Sequence, residues 1–475
     1  MKKTIIISIT LLLVLTSLPT NTVVYKDLSL AASALFSATR VLPNAFETSA
    51  ELILPYKMSY IEFQLEVLES QGAVIEVGGV KYLNLNLTTE LPMGVLYESN
   101  KNVVYVAIYP SYSNPDLVWG IAEVNITDRS YKIYRFPWLV MDLGYNPEHP
   151  EWGPQKYCGP MPWTITVDGN GELWISIRDY LVTPNHPPTY IPYLAKLNVE
   201  NNMLRIYCIP KELRGGCDVK FSNGYVWLMT NGALSQINAT SEEIVNVWMR
   251  DFDGGFMKID ENYIWLASVS YNYVTRFDAI NGVFDVNLTG FDRPLGIEVD
   301  SKYVYVAENH RREPGGPIIN GTIARIDKAT YFIDRIVTDT LVTNEGPYHV
   351  LKDGDGNLWW TTNSKQIGVR MAFTESMFSY EAISPYCYFM VEVPSNGIWF
   401  SCVGSAYVGI VYPLYNSPDI NKDGTVDSSD LGILGIAWGS TSGDPNYISD
   451  ADLNRDSIID SVDLGMIGTG WGMAK

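Results

Sequence analysis

From residue 74 to residue 415 apolar and polar positions alternate in short runs, broken by turns rich in Asp, Asn, Gly and Ser, which is the pattern of half-buried strands. The runs recur as a unit: a strand, a polar turn, then a second strand that is hydrophobic with an aromatic at its centre. That aromatic can be followed through Tyr105, Trp174, Trp227, Trp265, Tyr305, Trp359 and Trp399, at spacings of 69, 53, 38, 40, 54 and 40 residues. A spacing near 40 suits a four-stranded blade, and the longer ones carry insertions such as 145–159 and 178–193. Seven short sheets with bare edges are sheltered best by radial packing. The pattern therefore predicts a mainly β chain, a seven-bladed β-propeller over 73–417, with a β-sandwich as the alternative that does not explain seven units.

The last unit offers only three strands, at 388–393, 397–401 and 406–412, while a surplus strand waits near the start at 80–87. That early strand is expected to complete the last blade and join the two ends of the ring. It follows a Gly78-Gly79 turn and a first strand from Val74. Further upstream, Ser59-Tyr-Ile-Glu62 has the form of a capping box, Ile61, Leu65 and Leu68 share a helical face, and Gly72 marks a stop. A helix is expected there, within a lead segment spanning 23–72.

After Pro418 the pattern changes. Asp419-Ile-Asn421-Lys-Asp423-Gly424-Thr425-Val-Asp427-Ser-Ser-Asp430 is answered by Asp452-Leu-Asn454-Arg-Asp456-Ser457-Ile458-Ile-Asp460-Ser-Val-Asp463, 33 residues later. Four aspartates in twelve residues repel one another unless a hard cation lies among them. Calcium fits: positions 1, 3 and 5 offer side-chain oxygens, position 7 (Thr425, Ile458) a carbonyl, position 9 a carboxylate, and position 12 (Asp430, Asp463) a bidentate acid. Gly424 stands where the loop turns sharply; Ser457 replaces it in the second copy, so the second site is expected to be the weaker. A helix candidate ending in Trp438 or Trp471 follows each loop.

This duplicated loop-helix, residues 418–475, resembles a dockerin module. The resemblance implies two Ca2+ sites, packing about a pseudo-twofold axis, and docking onto a cohesin-like module of a scaffold or cell-surface protein. By the same resemblance the partner is read through Ser428 and Ser429 in one copy and Ser461 and Val462 in the other. Hydroxyls there are also ordinary helix-start residues.

Composition narrows the picture. With 475 residues, 47% hydrophobic and 18% charged, the chain is folded and large enough for two or three domains. A net charge of −20 with no basic stripe excludes nucleic acid as a partner. Part of that charge is local, since ten Asp against Lys422, Arg455 and Lys475 give the tail a net −7. Met1-Lys2-Lys3 followed by an apolar run to Leu18 reads as a secretory signal, cleaved near Thr22 or as late as Ala34, too short for the ~20 residues of a membrane span. A secreted or cell-surface location follows, with no membrane span once the signal is removed. Of five cysteines, Cys387 with Cys402 and Cys208 with Cys217 are the pairs to test first.

Several blade units, among them Gly346-Pro-Tyr-His349 through Trp359-Trp-Thr-Thr362 and Tyr305-Val-Ala-Glu308, resemble streptogramin B (virginiamycin B) lyase and NHL-like propellers. In the lyase a histidine and glutamates act with Mg2+ to open a cyclic ester. His349 matches the histidine place and Glu308 a glutamate place, with His310 and Asp179 nearby; Thr362 stands where a second glutamate is expected and Gly296 where a second histidine is. Candidate catalysts are therefore His349, Glu308 and His310. No Gly-x-Ser-x-Gly, His-Glu-x-x-His or phosphate loop occurs.

Two classes of function remain. In one, the propeller recognises a glycan or peptide, with Trp163, Trp360 and tyrosines as stacking surfaces, and the tail plugs it into an extracellular assembly. In the other, the same tail delivers an enzyme, a lyase or a hydrolase of polysaccharide catabolism.

Overall fold

The structure, a computed structural model, describes residues 54–472 except 88–90, 110–119, 138, 146–153, 183–189, 209–212, 214–217, 251, 253, 311–318, 343–345, 364, 373–374, 395, 404 and 414–415. The signal segment and Cys217 lie outside the described residues, as do the side chains of Cys158, Asp179 and Cys208. Among the described residues no helix is long and apolar enough to cross a membrane.

The chain divides into two units. The smaller takes Met1–Ile53, Leu139–Gly159 and Tyr180–Pro188; within it Leu139–Tyr145 pairs antiparallel with residues 154–159. The larger holds Leu54–Trp138, Pro160–Asp179 and Thr189–Lys475, and everything below concerns it.

Its centre is a ring of seven antiparallel sheets: blade 1 over residues 91–135, blade 2 over 160–208, blade 3 over 218–249, blade 4 over 257–289, blade 5 over 294–342, blade 6 over 347–381 and blade 7 from 387 to 411. The seven aromatics traced in the sequence each fall on the second strand of a blade, and all seven are buried. Those strands lie between neighbouring blades, so they are apolar on both faces. Val103–Tyr109 and Ile398–Cys402 are buried at every position. A buried indole needs an acceptor. The turn before the strand supplies it: Trp174 Nε1 donates to Asp168 Oδ2 at 3.0 Å and Trp359 Nε1 to Asp353 Oδ2 at 2.8 Å.

The ring closes as two neighbouring inner strands meet. The inner strand of blade 7 (Cys387–Glu392) packs on that of blade 1 (Leu91–Glu98). Blade 7 has only three strands of its own. Its fourth is β5 (Val80–Asn84), paired antiparallel with Tyr407–Val411 and buried at Val80, Tyr82 and Leu83.

The helix expected from Ser59 is absent. Residues 56–77 instead form β1 (Tyr56–Lys57), β2 (Ser59–Gln64), β3 (Glu66–Gln71) and β4 (Ala73–Val77), which run along the outer edges of blades 3, 2, 1 and 7 in that order. β2 pairs with Met203–Cys208 and β3 with Ser130–Arg135 over six residues each. The capping-box signature lost because an isolated amphipathic turn gains less than a strand that satisfies a bare sheet edge. Ion pairs fasten this belt, with Arg205 Nε on Glu62 Oε2 at 2.7 Å and Lys132 Nζ on Glu69 Oε1 at 3.4 Å.

At the carboxyl end α1 (Ser428–Ala437) and α2 (Ser461–Gly470) pack on each other over a small core that includes Ile420, Val426, Leu434, Leu453, Ile459 and Ile467.

Candidate functional site

In the tail, both loops fold the same way. Asp419, Asp430, Asp452 and Asp463 are at most 3% exposed. Asp423 N and Gly424 N donate to Asp419 at 3.1 and 3.0 Å; Asp456 N and Ser457 N donate to Asp452 at 3.2 and 2.8 Å. Asp430 accepts from Asn421 N at 3.0 Å and Asp427 N at 2.9 Å, and Asp463 from Asn454 N at 3.2 Å and Asp460 N at 2.8 Å. The two copies share these bonds, and loop 2 adds Tyr447 Oη donating to Asp452 and Leu453 N to Asp463, each at 2.6 Å. Gly424 has φ +95° and Ser457 +73°, so the serine does adopt the left-handed turn that glycine takes freely.

Backbone amides orient these carboxylates without neutralising them. Among the described residues no lysine or arginine pairs with Asp430, Asp452 or Asp463; Lys422 goes to the surface Asp450 at 3.6 Å and Arg455 to Asn416 Oδ1 at 2.7 Å. Buried charge without a counter-charge is costly, and an oxygen-only donor set around it suits a hard divalent cation. Among the described residues no three His, Cys, Asp or Glu side chains are drawn into one metal-sized cluster. The fit to calcium therefore rests on the burial and pairing of the loop acids together with the amide oxygens of Asn421 and Asn454. Asp427 and Asp460, at position 9, are N-caps of α1 and α2, accepting from Ser429 N at 2.7 Å and Val462 N at 2.8 Å.

Ser428, Ser429, Ser461 and Val462 are all exposed at the helix starts. Next to them stands a duplicated apolar surface: Leu431, Ile436 and Trp438 on or after α1, Leu464 and Trp471 on or after α2, each 38–70% exposed. Loop 2 also touches the propeller. Arg455 lies 5.8 Å over the Tyr412 ring, and a cleft of about 600 Å³ runs between Asp355 and Glu392 on the propeller and Asp450 and Arg455 on the tail.

In the propeller, the three candidate catalysts occupy two separate environments. Glu308 is fully buried and bidentate to Arg335, at 2.9 and 3.1 Å, and also accepts from Thr322 Oγ1 at 2.7 Å and Asp292 N at 3.1 Å. His310 joins the same network, Nδ1 on Asp292 Oδ2 at 2.6 Å and Nε2 on Thr322 Oγ1 at 2.5 Å. Asp, His and Thr in line resemble a nucleophile relay, but the hydrogens do not permit one. Thr322 has a single proton and gives it to Glu308, so Nε2 must donate to Thr322 rather than take its proton.

His349 lies elsewhere, on the inner strand of blade 6, its ring 6.2 Å from Phe256 and 5.8 Å from Phe389. Its Nδ1 is shut from solvent without a partner. Burial first, then the nearby charges of Lys220 and Lys258, lower its pKa to about 3. Gly296 takes the corresponding place in blade 5 because a Cβ there would stand 2.6 Å from Tyr348 O and 2.7 Å from His349 Cα.

Arg335→Ala is expected to cost about 3 kcal/mol, because it strands a buried carboxylate. Glu308→Gln should cost roughly 1 kcal/mol, since the Arg335 side chain, 41% exposed, can return to water. Chemical denaturation of the two variants checks the order. Equal stability of Arg335→Ala and the parent would mean the pair is not structural.

Trp163 and Trp360 are 7% and 0% exposed, so the stacking role expected of them is filled by core packing instead. Tyrosines cluster instead where the inner strands of blades 6 and 7 begin. Tyr348 and Tyr388, at the starts of neighbouring inner strands, stack at 4.2 Å with planes 26° apart, and Tyr386 stands 6.2 Å from Tyr388. Tyr386 is 44% exposed and held at φ +66°, a strained setting for a bulky residue.

Comparison with known proteins bears on the two parts differently. Residues 417–468 match the family described as Dockerin type I domain. No curated protein matches the chain. Among solved structures, the Neurospora crassa Pan2 WD40 domain aligns at 12% identity over 70% of this chain and 90% of its own, TM-score 0.43. The WD40 β-propeller domain of Doa1 aligns at 10% over 72% and 96%, TM-score 0.42, and Kuenenia stuttgartiensis hydrazine synthase at 11% over 69% and 97%, TM-score 0.49.

Proposed function

We propose that this chain, whose tail is a dockerin type I domain, is a secreted recognition component. Calcium holds its two tail loops, α1 and α2 dock onto a cohesin-type module, and the propeller presents a ligand surface to the surroundings. The observation that carries the reading is the pair of loops whose buried Asp430, Asp452 and Asp463 have no lysine or arginine partner among the described residues, beside an exposed, duplicated helix face. Immobilised cohesin modules in calcium should retain the full chain. Flow-through by protein that has bound calcium would sink the docking role.

For the propeller, the tyrosine group at the starts of these inner strands favours a neutral ring-bearing ligand, best a glycan. Its sugar faces would lie on Tyr386 and Tyr388 while hydroxyls meet the phenols. The net charge of −20 disfavours an acidic ligand. On a panel of neutral oligosaccharides and proline-rich peptides, a glycan should bind, and Tyr388→Ala should weaken it about 10-fold, the value of one aromatic contact. Binding by peptides alone, or binding unaffected by the substitution, overturns the glycan assignment.

The enzymatic alternative, a streptogramin-lyase-like lyase with Mg2+ or a polysaccharide hydrolase, has weaker support. A histidine with pKa about 3 is a poor base near neutral pH, and Glu308 is spent on Arg335.

A further inference from the structure

We propose that Cys387 and Cys402 are joined by a disulfide that staples the closing blade of the ring. The two residues are direct partners on adjacent antiparallel strands, Cys387–Glu392 and Ile398–Cys402. Opposed residues in such a pair have Cα atoms about 4.5–5.5 Å apart, inside the 4.4–6.8 Å that a disulfide spans. Both are thiols here and both are fully buried. The Cys402 thiol is pushed up by burial first and by its neighbour Cys387 second, while Cys387 Sγ donates to Ser384 O at 3.8 Å.

The position is singular within the chain's own repeat. The corresponding partners are Pro294 with Glu308 in blade 5 and Pro347 with Thr362 in blade 6. Only in blade 7 do two cysteines stand there, and blade 7 is the sheet whose fourth strand, not merely an added edge strand, comes from the far end of the chain. A covalent tie between its first two strands would hold the template on which β5 lands.

The chemistry balances with an external disulfide oxidant. Two thiols lose two protons and two electrons as the S–S bond forms, and the oxidant's own S–S bond is reduced to two thiols. With both sulfurs buried and the Cys402 thiol poorly ionised, exchange in the closed ring is slow. The bond therefore forms before β5 docks and is afterwards shielded.

The test uses the full chain refolded with glutathione disulfide, alkylated in denaturant without reductant and cut with trypsin. Residues 371–422 contain both cysteines and no internal lysine or arginine, so one peptide reports the pair. It should emerge unalkylated and two hydrogens lighter, and take up two alkyl groups only after reduction. The oxidised protein should also melt about 5 °C above its reduced form, a difference missing in Cys387→Ser/Cys402→Ser. Alkylation of both sulfurs without reductant, or a cross-link from either to the peptides of Cys158, Cys208 or Cys217, overturns the proposal.

Discussion

Replacing Tyr82 and Leu83 of β5 by alanine together is expected to remove about 6 kcal/mol, and with it most of the stability a domain has. Both side chains are fully buried in blade 7, and Tyr82 also accepts a hydrogen bond from Ile383 N at 3.0 Å. Losing them leaves Tyr407–Val411 an open edge and parts the ring at its seam. The matching substitution on β4, Val74→Ala with Ile75→Ala, falls on residues 44% and 39% exposed at the outer rim and should cost less than about 1 kcal/mol. Thermal melts and soluble yield compare the two pairs. A small, equal effect of both would mean that β5 does not close the ring.

Chelation of calcium should unfold the tail and leave the ring standing. Asp430 in one loop and Asp452 and Asp463 in the other are then buried without a cationic partner among the described residues, at about 3–5 kcal/mol for an uncompensated buried charge. The helices rest on a core too small to absorb that cost. Hydrogen exchange should rise across residues 419–472 and stay unchanged in blades 3 to 5. Retention on cohesin should fall at least 100-fold and return when calcium is restored. A tail whose exchange is indifferent to chelator would contradict the calcium account.

Much of the architecture was legible because its signals are local. A blade is built from one turn and one aromatic strand, so Tyr105 to Trp399 mark the seven sheets from sequence alone. The calcium loops were legible for the same reason, with donors, turn residue and N-cap all within twelve positions. The belt was not. Ser59-Tyr-Ile-Glu62 carries a genuine helix-start signature, and only the distant edges at Met203–Cys208 and Ser130–Arg135 turn it into strand. The Glu308 network was also beyond reach, since Asp292, Thr322 and Arg335 meet it from three separate segments. One missed signal was available: a hydroxyl two residues after the aromatic. Ser176, Thr361 and Ser401 each accept an inner-strand amide, from Thr164 N, His349 N and Phe389 N, at 3.1–3.2 Å.

The tyrosine cluster illustrates a different limit. Trp163 and Trp360 look like ligand-stacking residues in the sequence, yet Trp360 is enclosed by blade 5 and 6 neighbours such as Tyr305 and Val350. Burial is decided by which face of the strand meets the adjoining blade. Spacing alone does not report it.

Calorimetric titration of the calcium-free full chain with calcium tests the central claim most directly. Two ions should bind, the weaker at the loop carrying Ser457, with an affinity gap of about 5- to 30-fold set by the left-handed serine. Asp430→Ala and Asp463→Ala should each remove one of the two events. No heat at millimolar calcium, or two events that persist in Asp430→Ala/Asp463→Ala, would contradict the account.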